Sequence, residues 1–190
     1  MAQKTRTNGE FMVEYKKTSF KYICKSIDLE FMTFLTTSYI VTFKDDVVRY
    51  FYNMASSDFE EFKKFEEKLF QQFLQIIQPR KNKIIYIVSY QSGWEKADGY
   101  SKEKIDVKNG VLLTDEICVI EEIFKNAMRY KAFPVFVDTS QKIAIIPTDH
   151  LDFFVVTDMS VDNFVFDKDT FSIKVTRQSG DGSMIEPQNP

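Results

Sequence analysis

One stretch of the sequence decides the fold class: SSDFEEFKKFEEKLFQQFLQIIQP, residues 56–79. Ser57 stands three residues before Glu60, which is the spacing of a capping box that begins a helix. Apolar residues then recur every three or four positions until Pro79, which cannot continue a helix. The pattern predicts a long amphipathic helix. Its apolar half consists of Phe59, Phe62, Phe65, Leu69, Phe70, Phe73, Leu74, Ile76 and Ile77.

A second helix is predicted from TDEICVIEEIFKNAMRYK, residues 114–131. Thr114 is the expected N-cap, because its hydroxyl can accept a hydrogen bond from an amide of the first turn. Asp115 and Glu116 follow, where the positive end of the helix dipole favours acidic side chains. The apolar residues cover half of the helical wheel, which is wide enough to pack against a sheet.

Most of the remaining chain has the composition of β-strands. Alternating β-branched and aromatic residues predict strands at 11–16, 20–26 and 83–91, and a hairpin at 38–53. The last third contains AFPVFVD, QKIAIIPTD, LDFFVVTD, NFVFD and TFSIKVTR, separated by short turn sequences. Such connections are too short for parallel crossovers, so an antiparallel meander is expected. The sequence therefore predicts an α+β fold, a mostly antiparallel β-sheet with two long amphipathic helices packed on one face.

The length of 190 residues fits a single domain, which we place at residues 10–177. Residues 1–9 and 178–190 lack apolar periodicity and are expected to be flexible. The first residues do not form the apolar segment of a secretory signal, and no apolar run is long enough to span a bilayer. A cytoplasmic protein that does not enter the membrane is expected.

Charge and reactive side chains give few indications of catalysis. The net charge of −3 provides no overall attraction to nucleic acid. Cys24 and Cys118 have no metal-binding spacing, and both are predicted to be reduced and buried. The single histidine, His150, lies between Asp149 and Asp152 and is interpreted as a loop residue beside acids. No serine elbow, Walker loop or GxGxxG motif occurs.

The strand IDVK carries one arrangement that could hold a metal ion. Alternate residues of a strand point to the same face, so Asp106 and Lys108 would lie side by side with Val107 on the other face. In metal-dependent phosphodiester hydrolysis, a carboxylate holds Mg²⁺ while a neighbouring lysine orients or deprotonates the attacking water. A second acidic residue must converge on the same ion.

The order of these elements resembles the PD-(D/E)xK nuclease superfamily, which includes resolvases and cap-snatching endonucleases. A long helix is followed by an acid in a loop (Asp98), the D-x-K strand (Asp106 and Lys108), a second helix and two strands. The resemblance implies a Mg²⁺ or Mn²⁺ site at Asp98 and Asp106 with the catalytic Lys108 beside it. Glu66 or Glu67, from the first helix, would join this site as a further catalytic residue.

The nuclease resemblance covers residues 57–154 and leaves the N-terminal β region and the last strands unexplained. A second resemblance concerns a helix followed by a short hairpin, VFVDTSQKIAII, at residues 135–146. This layout is similar to that of small bacterial immunity and accessory proteins, compact acidic α+β domains that occlude a partner. It implies binding rather than catalysis.

The interpretation that the sequence favours is a small, non-catalytic binding protein of inhibitor, immunity or accessory type, with another protein as its partner and no cofactor. Aromatic side chains anchor protein interfaces, and phenylalanine alone accounts for 19 residues. Trp94 and Tyr100, in a predicted loop, are the candidate partner-binding residues. The metal-dependent nuclease is the alternative, and only then is nucleic acid a partner. A small-molecule sensor with an apolar pocket is a third hypothesis.

Overall fold

The computed structural model describes residues 3–7, 11–16, 37–44, 59–78, 85–89, 111–129, 134–157 and 159–177. Within these ranges the chain forms nine strands in one sheet and two α-helices, so the α+β class is confirmed. The elements are β1 (Gln3–Thr7), β2 (Phe11–Lys16), β3 (Thr37–Phe43), α1 (Phe59–Ile77), β4 (Ile85–Ser89), β5 (Val111–Thr114), α2 (Ile117–Met128), β6 (Pro134–Asp138), β7 (Ile143–Pro147), β8 (Asp152–Thr157) and β9 (Phe171–Arg177).

All neighbouring strands of the described sheet are antiparallel, in the order β1-β2-β5-β4-β6-β7-β8-β3-β9. Strands β6, β7 and β8 form the predicted meander, but β3 lies between β8 and β9. The prediction that the meander continues into β9 is therefore wrong. Because β8 and β9 are both antiparallel to β3, they run parallel to each other. Residues 159–170, here called the β8–β9 crossover, connect them.

Helix α1 ends close to the predicted residue. Its last helical residue is Ile77, and Gln78 takes the left-handed conformation, with φ of 45°. The Gln78 amide still donates a 2.8 Å hydrogen bond to the Leu74 carbonyl. Ser57 lies outside the described residues, so the capping box stays a prediction. The predicted apolar half faces the core, with these residues fully buried: Phe62, Leu69, Phe70, Phe73, Ile76 and Ile77.

Helix α2 begins two residues later than predicted, since Glu116 is its N-cap. Thr114 is the last residue of β5 rather than the N-cap, and its hydroxyl accepts a 3.0 Å hydrogen bond from the Glu116 amide. Thr114 does not cap the helix because its hydroxyl bonds the Glu116 amide, which precedes the first helical residue, Ile117. Strands β5 and β6 flank β4, so α2 carries the chain across β4 between two parallel strands.

Both helices pack on the same face of the sheet, here called the helix face. The Phe73 ring of α1 lies 4.6 Å from the Phe124 ring of α2 and 4.9 Å from the Phe136 ring of β6, measured between centroids. Phe153 of β8 lies 6.4 Å from Phe73. All four rings are inaccessible to solvent. Each such ring stabilises the fold by roughly 1.5–3 kcal/mol through burial.

The predicted strand NFVFD is wrong. Val161–Asn163 form a turn of 3₁₀ helix, and the following residues are irregular. Phe164 and Phe166 are half-buried against the core, which explains their alternation. Instead of a neighbouring strand, the Gln72 side chain bonds this backbone, donating to the Val165 carbonyl and accepting from the Asp167 amide, each at 2.9 Å.

Several predictions concern residues at the edges of the described ranges or beyond them. The expected flexible segment 1–9 contains β1, which pairs with β2. The predicted strand at 20–26, the second half of the 38–53 hairpin and the tail at 178–190 lie outside the described residues.

Candidate functional site

Most residues of the predicted sites lie outside the described part of the chain. These are the metal ligands Asp98 and Asp106, the catalytic Lys108, and the partner-binding Trp94 and Tyr100. The metal site and the aromatic contact surface therefore stay predictions. The structure places only Glu66 and Glu67 of the proposed set.

Glu66 is bound to an arginine of the other helix. Its two carboxylate oxygens accept hydrogen bonds from Arg129 Nε and Nη2 at 2.8 and 2.6 Å. The Glu66 side chain is 1% exposed and that of Arg129 is 26% exposed. Burial raises the pKa of the Glu66 carboxyl, and the Arg129 guanidinium offsets part of that effect. The guanidinium therefore favours the charged form of a carboxylate that water does not reach.

Glu67 takes part in a second contact between the helices. Lys125 Nζ lies 2.6 Å from both Glu67 Oε2 and Glu121 Oε1. Hydrogen bonds from Lys125 and from Gln71 lower the pKa of Glu67. Burial opposes the charge of Lys125, but its bonds to Glu121 and Glu67 outweigh burial and raise the pKa of the amine.

This cluster, Glu66, Glu67, Glu121, Lys125 and Arg129, joins α1 to α2 and is here called the interhelical clamp. Arginine binds carboxylates well in this forked geometry because its two parallel N–H groups match the two oxygens. Before it could bind a metal ion through the same oxygens, Glu66 would have to leave the guanidinium. Within the ranges that the structure describes, no three His, Cys, Asp or Glu side chains lie together as metal ligands.

His150 is exposed in the turn between β7 and β8, as predicted for a loop residue beside acids. Its Nε2 lies 3.7 Å from Asp149 Oδ1. The neighbouring Asp152 carboxylate instead accepts a hydrogen bond from the Thr148 hydroxyl. Burial raises the pKa of Asp152, which Thr148 and His150 partly offset.

The prediction that Cys118 is buried is wrong, because its side chain is exposed. It occupies the first turn of α2, where its neighbour Ile117 is 45% exposed. Partial burial and the Glu116 carboxylate raise the pKa of the thiol. Because the thiolate is the reactive form, this environment does not activate a nucleophile.

The sheet has an open edge at β9, the side of that strand that has no neighbour among the described strands. Val175 of β9 is 49% exposed and Lys174 is exposed beside it. In the crossover that leads into β9, Val165 is 60% exposed. An unpaired strand edge displays backbone donors and acceptors that another chain can bind.

Gln72 and Asp167 position this edge. Gln72 is 2% exposed and holds the crossover through its two backbone contacts. Asp167 Oδ1 accepts hydrogen bonds from the Asp169 and Thr170 amides at 3.1 and 3.2 Å, directly before β9. Hydrogen bonds from the Thr170 side chain and amide are the main cause that lowers the pKa of Asp167.

These anchors were not predicted from the sequence, although one signal was present. Gln72 stands three residues after Leu69 and four before Ile76, on the apolar half of α1. A polar side chain in that phase has to find a buried partner, because leaving it unpaired is costly. Nothing in the sequence identified the partner, which lies more than ninety residues away.

The chain matches no family model, no curated protein and no solved structure. Neither described helix has the length and apolar character to cross a membrane.

Proposed function

We propose that this protein is a small, non-catalytic binding protein, of inhibitor, immunity or accessory type, that acts through contacts with another protein. The observation that carries the proposal is the open edge of β9 with its exposed apolar side chains. Val175 and Val165 are 49% and 60% exposed. They lie on β9 and on the crossover that leads into it.

Exposed apolar residues are ordinary when they are scattered singly over a surface. At β9 they accompany backbone groups that can bind a second chain, and these two features together favour a protein partner. Ile117 of α2 is exposed to a similar extent, 45%, but lies in the first turn of a helix and not on a strand edge. It therefore provides a natural control surface.

The interhelical clamp gives further support. Glu66 and Glu67, which the nuclease alternative would use in catalysis, are bound to Arg129 and Lys125. In these contacts they hold α1 against α2. A stabilising role accounts for both residues without a reaction.

The proposal is tested by affinity capture with the full chain from extracts of its source cells. We expect one protein at a stoichiometric ratio, retained by the unmodified chain and by the control Ile117→Asp. The double variant Val165→Asp with Val175→Asp should lose it, because both exposed apolar surfaces become charged. The captured protein is then purified and its affinity for all three chains is measured by calorimetry.

The proposal fails if the unmodified chain retains no stoichiometric protein, or if Ile117→Asp and the double variant bind equally well. Circular dichroism and thermal unfolding of both variants establish that a lost partner does not reflect a lost fold.

Two measurements on the same protein distinguish this proposal from the alternative of a metal-dependent nuclease. That alternative predicts that Mn²⁺ raises the melting temperature, and that the chain cleaves DNA or RNA unless Asp106→Ala and Lys108→Ala are introduced. The binding proposal predicts no cleavage, and partner affinity unchanged by those two substitutions.

A further inference from the structure

The hydrogen-bonding pattern of β9 can be read from one bond just before the strand begins. The Lys44 amide donates a 3.0 Å hydrogen bond to the Thr170 carbonyl. In the β3–β9 register these two residues would be the next pair, so they form a hydrogen-bonded pair. Such pairs alternate along an antiparallel ladder. The backbone groups of Ser172 and Lys174 therefore point toward β3.

The same alternation turns the backbone of Ile173 and Val175 toward the open edge. The Phe171 amide follows this pattern, because it bonds the Asp167 carbonyl at 2.9 Å instead of β3. At the open edge, Ile173 and Val175 each present one N–H donor and one carbonyl acceptor. This spacing is what an added β-strand requires.

The side chains around these groups differ between the two faces of the sheet. Phe171 and Ile173 contact the core on the helix face, and Val175 shares that face because alternate residues point the same way. Lys174 projects from the opposite face and is exposed. A strand added at this edge would place apolar side chains beside Ile173 and Val175, and the residues between them beside Lys174.

Charge discriminates between a second copy of this chain and a different segment. Lys174 is the middle residue of β9, so a two-fold axis that pairs the full length of two β9 strands sets one Lys174 opposite the other. Like charges directly opposite each other on neighbouring strands destabilise the pair, whereas opposite charges stabilise it. The edge favours an acidic neighbour.

We propose that the open edge of β9 binds an extended segment of the partner protein as an added β-strand, one in which apolar residues alternate with acidic residues. This inference rests on the proposed function and specifies its contact. The backbone of Ile173 and Val175 supplies the hydrogen bonds, their side chains receive the apolar residues, and Lys174 receives the acids.

The test uses a fluorescent seven-residue peptide in which glutamate and valine alternate, with glutamate at both ends. A matched peptide carries lysine in place of each glutamate. Fluorescence anisotropy with the full chain should show that the glutamate peptide binds. The lysine peptide should bind about threefold to tenfold more weakly. The variant Lys174→Glu should reverse the preference.

Two substitutions at Val175 test the backbone contact. Val175→Pro removes the outward amide while leaving the ladder to β3 intact, and binding of the glutamate peptide should fall by about tenfold. Val175→Thr keeps the amide and the β-branched shape, and it should bind more tightly than the proline variant. Thermal unfolding and the exchange rates of the β3 amides establish that both variants keep the β3–β9 ladder.

Hydrogen exchange of the Val175 amide identifies the occupant. We expect fast exchange in the free chain and protection when the glutamate peptide is added. Protection in the free chain at low concentration would mean that another part of this chain covers the edge. Protection that grows with concentration, together with a dimer in analytical ultracentrifugation, would mean a second copy. Either result overturns the inference.

The experiments distinguish failure of the strand-addition inference from failure of the proposed binding function. If the protein captured from extracts binds Val175→Pro and Lys174→Glu as tightly as the unmodified chain, strand addition is wrong but the binding function stands. If neither a captured protein nor the glutamate peptide binds, both are wrong.

Discussion

Two segments of this protein perform the same topological task in different ways. Helix α2 carries the chain from β5 to β6 across β4, and the β8–β9 crossover carries it from β8 to β9 across β3. Both segments join parallel strands that are separated by one inserted strand, and both cover the helix face. The first is a regular helix, whereas the second contains only one turn of 3₁₀ helix.

The difference lies in what satisfies the backbone of each segment. A helix bonds its own amides and carbonyls, so α2 needs only an apolar face, and Phe124 and Ile120 are inaccessible to solvent. The irregular crossover cannot do this and relies on side chains, chiefly Gln72 from α1 and its own Asp167. We infer that ring burial holds the first segment and polar anchors hold the second.

The largest expected effect is on the helical segment. Phe124→Ala should lower the free energy of unfolding by about 3–5 kcal/mol, because it opens a cavity among buried rings. Phe166→Ala, in the crossover, should cost roughly 1–2 kcal/mol, since that ring is only half-buried. Urea unfolding measures both values. Equal costs would contradict the division into ring burial and polar anchoring.

The interhelical clamp should give the next largest effect. Arg129→Met leaves the Glu66 carboxylate buried without its cation and should cost roughly 2–3 kcal/mol at neutral pH. Glu66→Gln leaves Arg129, which can reach solvent, and should cost roughly 1–2 kcal/mol. The double variant should cost less than the sum of the two, because the uncompensated charge is gone.

The pH dependence of Arg129→Met sharpens this prediction. Burial raises the pKa of the Glu66 carboxyl in the folded chain above its ordinary value of 4.5, and removing the guanidinium raises it further. The folded state then binds the proton more tightly than the unfolded state, so stability rises as the pH falls toward 4.5. Urea unfolding between neutral pH and that value should show a shrinking penalty. A constant penalty would mean that Glu66 is not a buried carboxylate in the variant.

The sequence predicted the parts of the fold that depend on neighbouring residues. Helix α1 and the meander β6–β8 follow from local periodicity and short turns, and both were confirmed. The insertion of β3 between β8 and β9 was missed, because Val41 pairs with Phe153 and Ile173, more than one hundred residues away. No local pattern encodes such a pairing.

The misassigned strand NFVFD illustrates the limit of periodicity. Phe164 and Phe166 alternate with polar or exposed residues, which is the pattern of a strand, and both rings do face the core. A strand also needs a neighbour for its backbone, and here Gln72 takes that place. The candidate binding edge was missed for the same reason. Strand β9 lies at the edge of the described sheet because β3 is inserted between β8 and β9.

A smaller effect is expected at the main anchor of the crossover. Gln72→Ala should cost about 1–2 kcal/mol, because the Val165 carbonyl and the Asp167 amide both lose a hydrogen-bond partner in a partly buried place. Gln72→Glu keeps an acceptor for the amide but buries a carboxylate against the Val165 carbonyl, so at neutral pH it should cost at least as much as Gln72→Ala. Gln75→Ala, on the exposed side of α1, is the control and should be close to neutral.

Hydrogen exchange distinguishes anchoring from general destabilisation. In Gln72→Ala, the Phe171 amide should exchange faster relative to the amides of α2, because the crossover loosens before the helix layer does. Uniform acceleration in both segments would contradict the idea that Gln72 acts on the crossover.

The smallest effect concerns Asp167, which is exposed and bonds the turn before β9. Its pKa is lowered from the ordinary value of 3.8, chiefly by hydrogen bonds from Thr170. A lowered pKa in the folded state means that the carboxylate stabilises the fold above pH 3.8, and that this contribution is lost as the pH falls through the lower folded value.

Thr170→Val removes the hydroxyl and should move the Asp167 titration, followed by NMR, back toward 3.8, whereas Lys168→Ala, an exposed neighbour, should not. Because the Asp167 anchor belongs to the crossover, Thr170→Val should weaken the acid response at the start of β9 and leave that of α2 unchanged. An unchanged acid response at β9 would place the acid-sensitive contact elsewhere, in the interhelical clamp that both variants leave intact.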